Sequence, residues 1–185
     1  MSKTEVVKIE KFASLGFGLG HLGDGRVVLI KKVLPGDVVD VEVIKTKKKL
    51  AFGSVKKIIK PSKDRINPRC PYFDQCGGCD YQNILYAKQL ELKQALVEES
   101  LAQNKIETLV EKIIPGSEKE YFYRNSIRFE FRHTSEGLKI ARHNYLDPHR
   151  PVVTDFCLLQ SEFSNKFFGE VVELDNSLGY RGNDL

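Results

Sequence analysis

Leu34-Pro35-Gly36-Asp37-Val38-Val39-Asp40-Val41-Glu42-Val43-Ile44 decides the architecture of the first third of the chain. Proline pre-sets φ at the first corner and glycine permits positive φ after it, so residues 34–37 read as a tight turn. Val39, Val41 and Val43 then alternate with Asp40, Glu42 and Ile44, the period-two pattern of a half-buried strand. Upstream, Val6, Val7 and Ile9 open a strand. Gly16, Gly18, Gly20, Gly23 and Gly25 punctuate a turn-rich stretch, and a β-branched run follows over residues 26–32. Downstream, residues 50–59 supply one more strand. About five short strands closed by turns predict a small OB-like β-barrel over residues 1–61.

Working outward, residues 61–69 are polar with proline near both ends and read as a linker, which leads into a cysteine-bearing loop; together these occupy 62–82. A helix is expected over 83–103. Leu85 and Leu92 lie seven apart, Leu90, Val97 and Leu101 form a neighbouring row, Asp80 or Asn83 can cap its start, and Asn104 suits its end. From Tyr121 the period returns to two. Ile127, Phe129 and Phe131 oppose Ser126, Arg128, Glu130 and Arg132, and Leu138 and Ile140 begin a returning strand after a turn at Glu136-Gly137. Phe163, Phe167, Val171 and Leu174 fall at helical spacing, predicting a short helix near the end. The fold class is therefore α+β: the barrel, then the loop, then a long helix with a partial antiparallel sheet over 83–185.

The 185 residues suit one ordinary domain or two small ones. The longest aliphatic run is Val27 to Ile30, far short of the roughly 20 apolar residues of a membrane span. The N-terminus mixes charged and apolar residues and has no secretory h-region, so the chain is expected to be cytoplasmic and away from membranes. Its formal charge of +4 conceals an asymmetry: residues 1–65 carry 15 Lys/Arg against 7 Asp/Glu, a net +8, and the remainder 14 against 18, a net −4. A basic module on a mildly acidic body points to a polyanion partner. Lys45, Lys47, Lys48 and Lys49 stand out as phosphate contacts, with Lys56 and Lys57 behind them; a solubilising role is the bland alternative. Phe17 and Phe52 could stack on bases, although barrel core is the reading favoured for both. Arg124, Arg128 and Arg132, with Arg142 and His143, form a second basic set able to line an RNA groove or simply a solvated sheet face.

The four cysteines follow the pattern Cys70-x5-Cys76-x2-Cys79, then 77 residues, then Cys157. Four thiolates suit tetrahedral zinc or the corners of a cubane iron–sulfur cluster. Three in one ten-residue loop with a distant fourth favour the cubane over a zinc ribbon, which pairs two knuckles. Gly77-Gly78 lets backbone N–H groups approach sulfur. A thioredoxin-like reading of Cys76-Gly-Gly-Cys79 lacks a strand before it and a helix directly behind its first cysteine.

Around these residues the chain resembles a known family. Pro61-Ser62-x-x-Arg65-x-x-Pro68-x-Cys70-Pro71-Tyr72-Phe73, then Cys76-Gly77-Gly78-Cys79-x-x-Gln82, Tyr86, Gln89-Leu90 and Lys93, resembles the RNA uracil-5-methyltransferases that carry an iron–sulfur cluster. Gly16-Phe17-Gly18, Asp24-Gly25 and Leu34-Pro35-Gly36-Asp37 resemble their TRAM domain. Tyr123-Arg124-Asn125 resembles a family segment, and Phe156-Cys157-Leu158-Leu159 the stretch bearing the fourth ligand. The resemblance implies a [4Fe–4S] cluster on Cys70, Cys76, Cys79 and Cys157, RNA as partner, ribosomal (23S) in particular, and Arg124 as an RNA or cluster-neighbourhood contact.

The resemblance also implies parts that are not visible. A domain holding S-adenosylmethionine and a cysteine that adds to C6 of uracil, activating C5, belong to the family's chemistry. Gly16-Phe-Gly18-Leu-Gly20 lacks the strand-loop-helix frame of a cofactor loop, and the cluster pattern claims all four cysteines. The expectation is the N-terminal portion of such an enzyme, inactive alone and monomeric at full length. The long helix would carry an exposed apolar stripe along Leu85, Leu92 and Leu96. Two competing readings are a stand-alone RNA-binding module with a structural four-cysteine metal site and no catalysis, and an RNA-binding redox sensor with a labile cluster.

Overall fold

The structure, a computed structural model, describes residues 4–111, 113–116, 119–147 and 149–179. The chain divides into two compact units, Met1–Arg69 with Asp80–Pro115, and Cys70–Cys79 with Gly116–Leu185. The helix thus stays with the N-terminal strands, and the cysteine loop joins the C-terminal hairpin. The division differs from boundaries at 61 and 82, because each segment follows the partners that bury it.

The first unit is a six-stranded sheet of β1 (Thr4–Lys8), β2 (Lys11–Ala13), β3 (Phe17–His21), β4 (Val27–Lys31), β5 (Val38–Lys47) and β6 (Leu50–Lys60). Its order is β1-β5-β6-β4-β3-β2, antiparallel except for the β4–β6 pair. The strands curl tightly: a Cβ on Gly20 in β3 would come within 2.5 Å of both the Lys8 carbonyl oxygen and the Val7 side chain. β1 and β2 stand at the two ends of that order and do not pair with each other, so among the described residues the ladders do not close the expected OB-like barrel. Alternation works as the sequence reads. Val28, Ile30, Val39, Val41 and Ala51 are fully buried with Val7, Ile9 and Leu22, whereas Asp40 and Glu42 lie on the opposite side.

The turn at residues 34–37 closes with the Asp37 N–H donating to the Leu34 carbonyl at 3.0 Å, and Gly36 takes φ +92°. Helix α1 (Tyr86–Gln103) ends at Asn104, as the sequence indicates. Its start differs. Leu85 is the N-cap and has no side-chain cap bond, because Asn83 is buried and spends its amide on the Lys32 carbonyl at 3.1 Å. Leu92 and Leu96 pack on a small core of Phe12, Leu34 and Ile84, and Lys11 of β2 pairs with Glu99 at 2.5 Å. Of the anticipated stripe, Leu85 is exposed; Val97, farther along the helix, is exposed as well.

The second unit holds β7 (Glu130–Thr134), β8 (Gly137–Arg142) and β9 (Val152–Val153) in that order, with α2 (Glu162–Leu178) packed on β8. The hairpin turn lies where the sequence puts it. β7 begins only at Glu130, so Ser126, Ile127 and Arg128 are irregular rather than part of a long strand. Leu138, Ile140 and Ala141 face the core with Leu158 and Leu159. Ser161 caps α2 by accepting from the Ser164 N–H, and Gly179 closes it with φ +71°. The helix is longer than its spacing implied, and the side marked by that spacing is largely exposed. Phe168 packs on Phe129 with centroids 4.3 Å apart, while Phe163, Phe167, Leu174 and Leu178 are exposed.

Candidate functional site

The basic cluster sits where β5 turns into β6. Lys45 and Lys47 end β5, Lys48 and Lys49 form the turn, and all four are exposed. None takes part in an ion pair among the described residues, whereas Lys56 is paired with Glu42 at 2.5 Å. Four ammonium groups on one turn give a local positive field that a phosphodiester strand can occupy. Phe17 and Phe52 are not core residues. Both lie half-buried on the outer face of the sheet, rings 6.0 Å apart and edge-on, with the Lys31 ammonium 4.6 Å from the Phe17 centroid. The reading as barrel core is corrected by register: Leu29 partners Phe52 and alternates with the buried Val28 and Ile30.

Two motifs far apart in sequence meet under the turn at 34–37. The Asp37 carboxylate is fully buried. It accepts from the N–H groups of Leu34 and Ser62, each at 2.8 Å, and from the Arg65 guanidinium through two nitrogens. The Arg65 guanidinium also donates to the Lys32 carbonyl at 3.0 Å. Residues 61–69 are thus more than the linker their composition suggests, since Ser62 and Arg65 are the counterparts of Asp37. A short acidic residue after Pro-Gly carries no sign of a partner 28 positions away.

In the second unit the cysteine loop is knitted to the hairpin region by backbone. The Gly77 N–H donates to the His143 carbonyl at 2.8 Å, the Tyr145 N–H to the Gln75 carbonyl at 3.2 Å, and Cys76 bridges Asn144. The Gly78 N–H points at the Cys76 sulfur at 3.4 Å. Tyr72, two residues after Cys70, reaches the segment before Cys157: its hydroxyl donates to the Asp155 carboxylate at 2.9 Å, and its ring lies 5.6 Å from that of Phe156. Burial pushes the Tyr72 phenol above its ordinary pKa; the Asp155 N–H, which donates to its oxygen, works against that shift, and the Asp155 carboxylate adds to it. Cys157 is clasped by Asn165 of α2, which accepts from its N–H at 2.8 Å and donates to its carbonyl at 2.9 Å. All four cysteines are half-buried thiols within this one unit. Among the described residues no group of three or more His, Cys, Asp or Glu closes around a single metal ion.

The arginines part company. Arg124 runs beside the stretch after Cys157, its N–H donating to the Leu159 carbonyl at 2.8 Å and its backbone bridging Gln160. Arg128 and Arg132 are exposed but do not share one strand face, since Arg128 precedes β7; Arg132 is held by Glu130 at 2.8 Å. Arg142 is buried, donating to the Arg128 carbonyl and to Gln160, with its guanidinium 5.5 Å from the Phe129 centroid, so it is a packing residue. His143 contributes its carbonyl rather than its ring. Tyr72, Asn165 and Asp155 escape a reading of the sequence alone. No short-range spacing marks a side chain that clasps a loop from another element.

Comparison with known proteins supplies the family. The TRAM domain family matches residues 2–56. A Thermotoga maritima protein described as an RNA methyltransferase is 36% identical over 73% of the chain and 30% of its own length. A Halalkalibacterium halodurans protein of the same description is 35% identical over the full chain and 40% of its own length. The solved tRNA (uracil-54, C5)-methyltransferase of Pyrococcus abyssi, in complex with S-adenosyl-L-homocysteine, shares the fold. It aligns with a TM-score of 0.59 over 94% of this chain and 37% of its own, at 21% identity. The chain spans between 30% and 40% of the length of these curated relatives. It belongs to the TRAM-bearing RNA methyltransferase family.

Proposed function

We propose that this chain is the RNA-binding and [4Fe–4S]-bearing part of an S-adenosylmethionine-dependent RNA uracil-5-methyltransferase acting on 23S ribosomal RNA in the cytoplasm. The observation that carries the RNA reading is the exposed, unpaired Lys45–Lys49 turn on a unit matched by the TRAM domain. The solved relative named for uracil C5 methylation supports the reaction class, and the sequence resemblance supports the ribosomal substrate.

Cys70, Cys76, Cys79 and Cys157 would hold the cluster. The donor set fits it: four thiols in one unit, an N–H aimed at a sulfur, and Tyr72 tying the loop of the first three to the segment of the fourth. A tetrahedral zinc needs four sulfurs about 2.3 Å from one point. A cubane spreads its thiolates over separate irons, which suits three cysteines along one loop with the fourth on another segment. When bound, the cluster supplies a covalent tie across a segment of about 80 residues. The protein's own residues do the rest. Asn165 fixes the Cys157 backbone, and Leu159 and Gln160 hold the Arg124 backbone beside the same stretch, from which its guanidinium would meet an RNA phosphate or base. Lys45, Lys47, Lys48 and Lys49 position the strand without reading its sequence. None of the described residues is assigned to methyl-donor binding or to attack on uracil.

Deleting the gene and mapping 5-methyluridine in ribosomal and transfer RNA by mass spectrometry tests the whole protein's activity. Loss of one 5-methyluridine from 23S RNA is expected. Loss confined to transfer RNA would overturn the substrate, and no loss anywhere the reaction.

A further inference from the structure

The outer face of the first unit's sheet has a composition that solvent alone does not explain. Register fixes its members. Phe17 partners Lys31, Leu29 partners both Leu19 and Phe52, and Phe52 partners Lys45 across the β5–β6 ladder. Cross-strand partners share a face, so Phe17, Leu29, Phe52 and Lys45 stand on one side while Val28, Ile30 and Ala51 fill the other. The two phenyl rings meet edge-on at 6.0 Å, half-buried against one another rather than in a core. Lys47 lies on the same strand as Lys45, and the turn carries Lys48 and Lys49.

We propose that Phe52, braced by Phe17, is a stacking platform for the bases of a single-stranded RNA whose phosphates run along Lys45 to Lys49. The inference rests on the reading of this unit as RNA-binding and adds to it the contact that senses bases. Two features favour this occupant over a protein partner. The edge beside Phe52 carries Lys45, Lys47, Lys48 and Lys49, complementary to a phosphodiester chain, while the acidic neighbours on that face are already matched, Glu42 by Lys56 and Asp80 by Lys31. A partly exposed aromatic ring beside such a rim is also the arrangement by which single strands are held without sequence preference. Double-stranded RNA presents its phosphates but not its base faces, so it would use the lysines alone.

The 185-residue chain is titrated with a single-stranded RNA of about 12 nucleotides, within the span such sheets cover, and with an abasic ribose-phosphate strand of equal length and charge. The chain is expected to bind the base-bearing strand about fivefold or more tightly. Phe52→Leu, which keeps apolar bulk but removes the ring, should abolish that preference while leaving the dependence of affinity on salt unchanged. Phe52→Trp should retain the preference, and the circular dichroism spectra of both variants should match that of the parent chain. Equal binding of the two strands by the parent chain, or an undiminished preference in Phe52→Leu, overturns the platform and leaves RNA binding standing. Failure of the parent chain to bind either strand overturns the RNA reading itself.

Discussion

Asp37 is a carboxylate with no access to solvent, held in place by four donors. Truncating it would strand the largely buried Arg65 and two backbone N–H groups. Removing one partner of a buried pair costs far more than the pair contributes over an apolar substitute. Asp37→Ala is therefore expected to destabilise the first unit by about 3–5 kcal/mol, read as a lower urea midpoint at unchanged slope. A change within about 0.5 kcal/mol would mean that the cluster is incidental. Tyr145 gives a second prediction at this scale. Burial, reinforced by Asp74, raises its phenol above the ordinary value of 10.0, so the native state holds that proton more tightly than the unfolded chain does. Its contribution is fully present below about pH 10 and is lost as pH climbs through the raised value. The urea midpoint of the parent chain should therefore fall more steeply above about pH 10 than that of Tyr145→Phe; parallel curves would contradict this. The turn itself was legible from Pro35 and Gly36, because both act on local φ. The Asp37–Arg65 pair was not, because it depends on a meeting 28 residues apart.

At the scale of elements, alternation identified β5 and its buried valines, and the lysine turn fell where the strand pattern breaks. Periodicity says which residues share a face but not which face is covered. Phe163, Phe167 and Leu174 do share one side of α2, yet that side is exposed and Phe168 is the ring that packs on Phe129. The same limit placed Phe17 and Phe52 in a core they do not enter, and it grouped Arg142 with surface arginines although it is buried beneath Phe129. The lysine turn supports a direct measurement. Each phosphate contact to a single strand adds about 0.7 to the slope of log affinity against log salt. Replacing Lys47, Lys48 and Lys49 together by Ala should therefore lower that slope by about 2, with similar losses for all sequences. An unchanged slope would place the strand on another surface.

For the molecule as a whole, the cysteine spacing carried most of what could be read about the site, since ligand count and loop length are local properties. What spacing could not supply is how the fourth cysteine is brought into the same unit. That is accomplished by Tyr72 meeting Asp155 and Phe156, by the backbone bonds of Gly77 and Tyr145, and by the Asn165 clasp. Each of these contacts spans elements and leaves no trace in a spacing rule. If the four thiolates act as one tie, Cys157→Ser should lower iron content, thermal midpoint and RNA affinity together. Intact folding with lost affinity would indicate direct substrate contact instead. The most direct test is iron and acid-labile sulfide analysis, with an absorption spectrum, of the protein purified without oxygen. About four irons and four sulfides per chain are expected, with a broad visible band that Cys157→Ser diminishes. One zinc per chain without sulfide, or an iron-free protein that folds and binds RNA unaltered, would contradict the account.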